Sequence, residues 1–272
     1  MHSELANLVH AGNLVVLSGA GLSTESGIPD YRGATGAARP ATPMTYQTFT
    51  GSAQARQRYW ARSHLGWRFI SRVSPNAGHV AVAQLQRQGL VSGIVTQNVD
   101  GLHQAGGAKD VVELHGALDR VDCLSCRART TREALEARLT KANPGFTREV
   151  VPLKPDGDVD LEDVGGFVVV DCETCGGLLK PDVVFFGETV PRDRVDHAFA
   201  LVDAASTLLV LGSSLKVMSG YRFVLHAAKR GTPIGIVNQG PTRGDALAAV
   251  RVDAPLGAVL TGVLEASGKI CS

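Results

Sequence analysis

The chain has 272 residues, 44% of them hydrophobic, with 27 Lys and Arg set against 26 Asp and Glu for a formal net charge of +1. Such a length holds one large α/β domain or a large and a small one, and the even charge leaves no basic field for nonspecific nucleic-acid binding or for anionic membranes. No apolar run is long enough to span a bilayer and no basic segment precedes an apolar core at the N-terminus, so the expectation is a cytoplasmic protein that recognises its partners locally.

Leu5, Leu8 and Val9 share a helical face ahead of Gly12. Leu14-Val15-Val16-Leu17 then reads as a strand buried on both faces of a parallel sheet. Gly19-Ala20-Gly21 follows, where glycines let backbone N–H groups approach a pyrophosphate at a helix N-terminus. Residues 33 to 43 read as a mobile loop over that site, and Arg56 to Arg72 as helices packed beside it. Pro75-Asn76 opens a helix closed by Gly89, and Val91 to Thr96 and Val111 to Leu114 are further strands.

Between Ala117 and Lys180 the alternation breaks, apart from a helix over Thr131 to Thr140. The acidic run Asp156, Asp158, Asp160, Glu162 and Asp163 has Leu161 where an EF-hand needs glycine, so it reads as a solvated loop. After Lys180-Pro181 the sheet is expected to resume, with a helix carrying Val195, Phe199 and Val202, a strand over Leu208 to Leu211, and a helix over Tyr221 to Arg230. Strands over Ile234 to Val237 and Val250 to Val252 and a final helix follow. Strand–helix alternation predicts a Rossmann-like doubly wound parallel sheet with a smaller zinc-binding domain. The expected division puts 1–33, 75–116 and 181–272 in the large domain and 34–74 and 117–180 in the small one.

Three strand ends carry small polar residues: Gly19-Ala20-Gly21, Gly212-Ser213-Ser214 and Asn238-Gln239-Gly240. On parallel neighbours they would open on one edge and line an extended dinucleotide. No acid lies about 20 residues past the glycine loop, where a dehydrogenase holds the cofactor ribose. That counts against a protein that transfers hydride. Asn98 and Asp100 sit beside this site with an amide and a carboxylate suited to a carboxamide, and His115 ends a strand ahead of glycine, placed for general-base work near neutral pH. Cys123, Cys126, Cys172 and Cys175 form two Cys-x-x-Cys pairs, a tetrathiolate pattern for one structural Zn²⁺, with a redox dithiol as the alternative. Cys271 reads as a bystander.

The string from Gly19 through Ser23, Ile28, Pro29, Asp30, Tyr31 and Arg32 resembles the signature of the sirtuins, NAD-dependent protein deacylases, with Tyr31 where Phe is usual. Gln97-Asn98-Val99-Asp100-Gly101-Leu102-His103, His115-Gly116, the four cysteines and Gly212-Ser213-Ser214 continue the likeness in family order. The resemblance implies a nicotinamide pocket at Ala20, Ile28, Asn98 and Asp100, phosphate and ribose contacts at Arg32 and Gln97, and an adenine wall at Leu256. It also implies an acyl-lysine tunnel along Val183, Val184, Phe185, Phe186, Gly187 and Glu188, with substrate peptide adding as a strand between that segment and Val217-Met218-Ser219-Gly220. The implied reaction is attack of the acyl-lysine oxygen on the ribose carbon with loss of nicotinamide. His115 then activates a ribose hydroxyl against the alkylamidate, and water releases lysine and 2′-O-acyl-ADP-ribose.

Tyr59 and Arg62 share a helical face and resemble the pair with which desuccinylase-type sirtuins read an acidic acyl group, Arg62 being equally open to a solvated or ion-paired role. The surrounding sequence resembles the mitochondrial-type class II branch. Acyl-lysine segments of other proteins are the expected partners, with no direct nucleic acid and no membrane. Two alternatives stay open: mono-ADP-ribosyl transfer from the same NAD site, and a non-catalytic NAD-sensing or partner-binding module.

Overall fold

A computed structural model describes residues 2–31, 44–147, 159, 161 and 164–268. Arg32, the loop over 33–43, the acidic residues Asp156, Asp158, Asp160, Glu162 and Asp163, and Cys271 lie outside the described residues. In chain order the strands are β1 (Leu14–Ser18), β2 (Val91–Thr96), β3 (Val111–Glu113), β4 (Gly116–Cys123), β5 (Arg129–Thr131), β6 (Leu179–Val183), β7 (Thr207–Leu211), β8 (Ile234–Val237) and β9 (Val250–Val252). The helices are α1 (His2–His10), α2 (Tyr46–Gly51), α3 (Ala53–Ile70), α4 (Ala77–Arg87), α5 (Leu102–Ala105), α6 (Arg132–Ala142), α7 (Arg192–Ala204), α8 (Met218–Lys229) and α9 (Leu256–Gly268). No helix among the described residues is long and apolar enough to cross a membrane.

Six strands form one parallel sheet in the order β3-β2-β1-β7-β8-β9. All five residues of β1 and of β7 are buried, as expected for central strands covered on both faces. Their alternate side chains feed opposite cores. Leu14, Val16, Leu209 and Leu211 pack with residues of α1, α4 and α9, whereas Val15, Leu17, Leu208 and Val210 pack with α7 and α8. Asn76 caps α4, its side-chain oxygen accepting from Gly78 N–H at 2.9 Å, and Gly12 and Gly231 follow α1 and α8 in the left-handed conformation that ends helices.

The glycine loop turns through two short 3₁₀ segments, Ala20–Leu22 and Thr24–Ser26, before Gly27 at φ 89°. The parallel sheet resumes at β7, after the Lys180-Pro181 segment. Lys180-Pro181 itself belongs to β6, which pairs antiparallel with β4 in a second sheet ordered β5-β4-β6. Pro181 is tolerated because β6 is an edge strand. This sheet thus spans both ends of the expected 117–180 insertion, and a third core of Phe49, Tyr59, Trp60, Leu118, Leu135, Phe167 and Phe185 covers it. Val184 and Phe185 have left the strand, and Phe186 makes an isolated bridge to Thr45.

The edge where β1 and β7 end is built on backbone contact. Gly19 N–H donates to Leu211 O at 2.9 Å and Gly21 N–H to Gly212 O at 2.8 Å. Gly212 has φ 59°, and a methyl group there would run into the Leu22 N–H and the Gly21 backbone. Gly212→Ala is therefore expected to lower stability by at least about 2 kcal/mol, through left-handed strain and overpacking together. A urea titration with an unchanged midpoint would contradict this.

Candidate active site

The carboxyl ends of β1, β7 and β8 are neighbours, and their three polar loops open on a single cleft of about 1380 Å³. Gly19, Ala20, Gly21, Ser23, Ile28, Asp30 and Tyr31 line one wall. Gly212, Ser213, Ser214, Asn238, Gln239, Gly240 and Leu256 line the far end, and Gln97, Asn98, Asp100 and His115 the floor. Val183 to Glu188 and Val217 border it on the side of the small sheet. Pro29 does not line it.

Gln97 ties these parts together. Its N–H donates to Ser18 O at 3.0 Å, and its side-chain amide donates to Ser213 Oγ at 2.9 Å and Ser18 O at 3.2 Å. Its carbonyl accepts from His115 Nδ1 at 2.9 Å. That bond puts the imidazole proton on Nδ1 and leaves Nε2 with its lone pair. Burial pushes the His115 pKa below the usual 6.5, and the Arg222 and Arg194 charges act the same way against the opposing pull of the Gln97 carbonyl. His115 is a neutral base near pH 7.

Asp100 shows the reverse shift. Burial raises its carboxyl pKa, while Leu102 N–H at 2.9 Å and Ser23 Oγ at 2.7 Å, both donating to it, oppose the rise. Asn98 Nδ2 donates to Gly19 O and to Ser23 Oγ, both at 3.1 Å, so amide, carboxylate and glycine loop form one hydrogen-bonded unit. A group carrying both a donor and an acceptor, such as a carboxamide, fits such a set.

Tyr59 and Arg62 are not brought to the cleft. Tyr59 is buried, its ring edge-on to Phe49 at 5.4 Å and Phe185 at 5.2 Å. Arg62 Nε and Nη2 donate to Leu161 O at 2.9 and 2.6 Å. In this arrangement a backbone carbonyl distant in sequence takes the Arg62 guanidinium, and the Tyr59 ring packs in the third core. Conversely, Thr24, Lys216, Arg222, Thr242 and Arg243 line the cleft without having been singled out as site residues. Thr24 continues the glycine loop, and Thr242 and Arg243 follow the Asn238 loop, which was a legible signal. Arg222 reaches the cleft by the turn of α8, which was not, and Met218, Ser219 and Gly220, expected in an extended peptide-pairing segment, form the first turn of that helix instead.

The β4–β6 ladder brings the cysteine pairs together, Cys123 pairing with Leu179 and Leu124 N–H donating to Leu178 O at 2.8 Å. All four sulfur atoms lie within 4.8 Å of one another, with Cys123 Sγ 3.5 Å from Cys175 Sγ and Cys126 Sγ 3.7 Å from Cys172 Sγ. Tetrahedral ligands at zinc–sulfur length sit about 3.8 Å apart, so the set fits one Zn²⁺ with no open position, a structural site. The Cys126 N–H donates to the Cys123 sulfur and holds that thiol below its ordinary pKa.

The fold and its strand-end cleft are those of a dinucleotide-binding α/β protein. A family model described as the Sir2 family matches residues 19–219, and the chain belongs to that family. It is 60% identical over 268 residues to a protein named NAD-dependent protein deacetylase 1 from Streptomyces coelicolor, covering 98% of this chain and 90% of that one. A solved structure described as Sir2 with p53 peptide and NAD⁺ superposes with a TM-score of 0.77 at 30% identity, covering 99% of each chain. Another, described as Sir2 bound to acetylated peptide, gives a TM-score of 0.75 at 29% identity, covering 98% of this chain and 99% of that one.

Beneath the cleft, Ser18 donates to Thr96 Oγ1 at 2.9 Å and meets His103 Nε2 at 2.8 Å, and Thr96 Oγ1 accepts the Asn98 N–H at 3.1 Å. His103 packs on His79 with ring centroids 5.3 Å apart. Burial lowers His79 from 6.5 to about 4 and His103 to about 3. The unfolded chain therefore binds more protons than the folded one below about pH 6.5, and stability, complete above that pH, falls as the pH drops, by about 1.4 kcal/mol per unit for each histidine. Urea midpoints measured between pH 6.5 and 5 should give His103→Gln a slope shallower by about one proton. A slope equal to that of the wild type would contradict the neutral assignment.

Proposed function

We propose that this chain is an NAD-dependent protein-lysine deacetylase, the activity for which its bacterial relative is named. The observation that carries the reading is the His115 imidazole, its Nδ1 fixed on the Gln97 carbonyl, in the same cleft as the Asn98–Asp100 unit and the glycine loop. NAD is consumed as cosubstrate and supplies a ribose carbon that becomes electrophilic as nicotinamide leaves. Its adenosine half lies along Ser213, Ser214, Asn238 and Leu256, and its nicotinamide against Ala20, Ile28, Asn98 and Asp100. The acyl-lysine of a protein segment enters beside Val183 to Glu188 and Val217, and its acyl oxygen takes the place of nicotinamide. His115 then takes a proton from a ribose hydroxyl, and the acyl group leaves lysine for ADP-ribose. The zinc centre holds β4 and β6, and with them the acyl-lysine wall, in place.

The acyl group that this reading favours is uncharged. With Arg62 held by Leu161 O, no guanidinium from α3 meets an acidic acyl tail.

Nicotinamide release from NAD, followed with acetylated, succinylated and unacylated peptides, tests this. Sustained release is expected with the acetylated peptide, at least about 10-fold slower release with the succinylated one, and none without an acyl group. His115→Ala should lower sustained turnover by about 10²-fold or more. The acid limb of kcat/KM should fall below pH 6.5, because a base of lowered pKa stays active as the pH drops towards that value. Equal release without any acyl group would point instead to ADP-ribosyl transfer, and no release to a binding module.

A further inference from the structure

The lone pair on His115 Nε2 is already occupied. Ser219 Oγ lies 2.8 Å from it, and since Nδ1 carries the ring proton on the Gln97 carbonyl, the Ser219 hydroxyl is the donor. We propose that Ser219 is a catalytic residue that relays the proton from the substrate hydroxyl to His115. This rests on His115 being the base of the proposed deacetylation.

Ser219 is the second residue of α8, two positions past the Val217 N-cap. Here it caps nothing, and His115 is its one hydrogen-bond partner among the described residues. Gly220 explains how the helix comes so close. Any side chain there would collide with Gln97 Oε1, so α8 is seated directly on the residue that also fixes Nδ1. Both nitrogens of His115 are thus held from the Gln97–α8 contact.

A ribose hydroxyl reaching Nε2 directly would have to push the Ser219 hydroxyl off. Ser219 is buried, 9% exposed, and would be left without a partner, which is costly. The relay avoids that cost, because Ser219 lines the cleft and its oxygen keeps a free lone pair for the incoming hydroxyl. In the step, the ribose O–H bond breaks as a new O–H forms on Ser219, and the original Ser219 O–H bond breaks as Nε2–H forms. Ser219 ends as a hydroxyl, His115 as imidazolium, and the ribose oxygen keeps the electron pair with which it attacks the acyl carbon.

Four proteins separate the outcomes: wild type, His115→Ala, Ser219→Ala and Ser219→Thr, each assayed for deacetylation of an acetylated peptide and for exchange of labelled nicotinamide into NAD. Exchange reports the displacement that precedes the proton transfer. Ser219→Ala is expected to lose about 10-fold or more in deacetylation kcat with KM for NAD unchanged, to keep exchange within about 2-fold, and to be restored largely by Ser219→Thr. Wild-type turnover in Ser219→Ala, or loss of exchange together with deacetylation, would overturn the relay. Full deacetylation by His115→Ala would instead overturn the base assignment on which it rests.

Discussion

Gln97 is the residue on which the rest of the site hangs. Its backbone N–H joins the end of β1, its side-chain amide bridges Ser18 and Ser213, and its carbonyl sets the tautomer of His115. The ends of β1, β2 and β7 and the His115 imidazole are thereby fixed to one residue. A short amide chain reaches all of them because parallel neighbours end at one edge, where ligand-binding crevices form.

Burial sets the chemistry that this frame supports. It disfavours charge on His115 and Asp100 alike, which leaves a neutral base and a carboxyl held by the Ser23 hydroxyl and the Leu102 N–H. The small sheet supplies the opposite wall, and buried Lys180 anchors it by donating to Pro181 O at 3.2 Å and pairing with Glu188 at 3.0 Å. Glu188 in turn accepts the Phe185 N–H at 2.9 Å, so the segment that leaves β6 is shaped by a lysine from within that strand.

The parallel sheet was legible because its strands are short, unbroken apolar runs closed by glycine or polar residues, and β2 and β8 have the very limits read from the sequence. The cleft was legible for the same reason: three polar strand ends can converge only if their strands are neighbours. What was hidden depended on partners far along the chain. A buried lysine beside proline disguised β6 until β4 was paired with it, the carbonyl of Leu161 takes the Arg62 guanidinium, and Ser219, read as part of an extended peptide-pairing segment, is turned onto His115 by the first turn of α8.

The most direct test of the account is mass analysis of the products formed from NAD and a peptide carrying an isotopically labelled acetyl group. The account predicts unmodified lysine, free nicotinamide and the labelled acetyl group esterified to ADP-ribose in equal amounts. Labelled acetate with NAD intact, or ADP-ribose attached to peptide or protein with the acetyl-lysine unchanged, would contradict it.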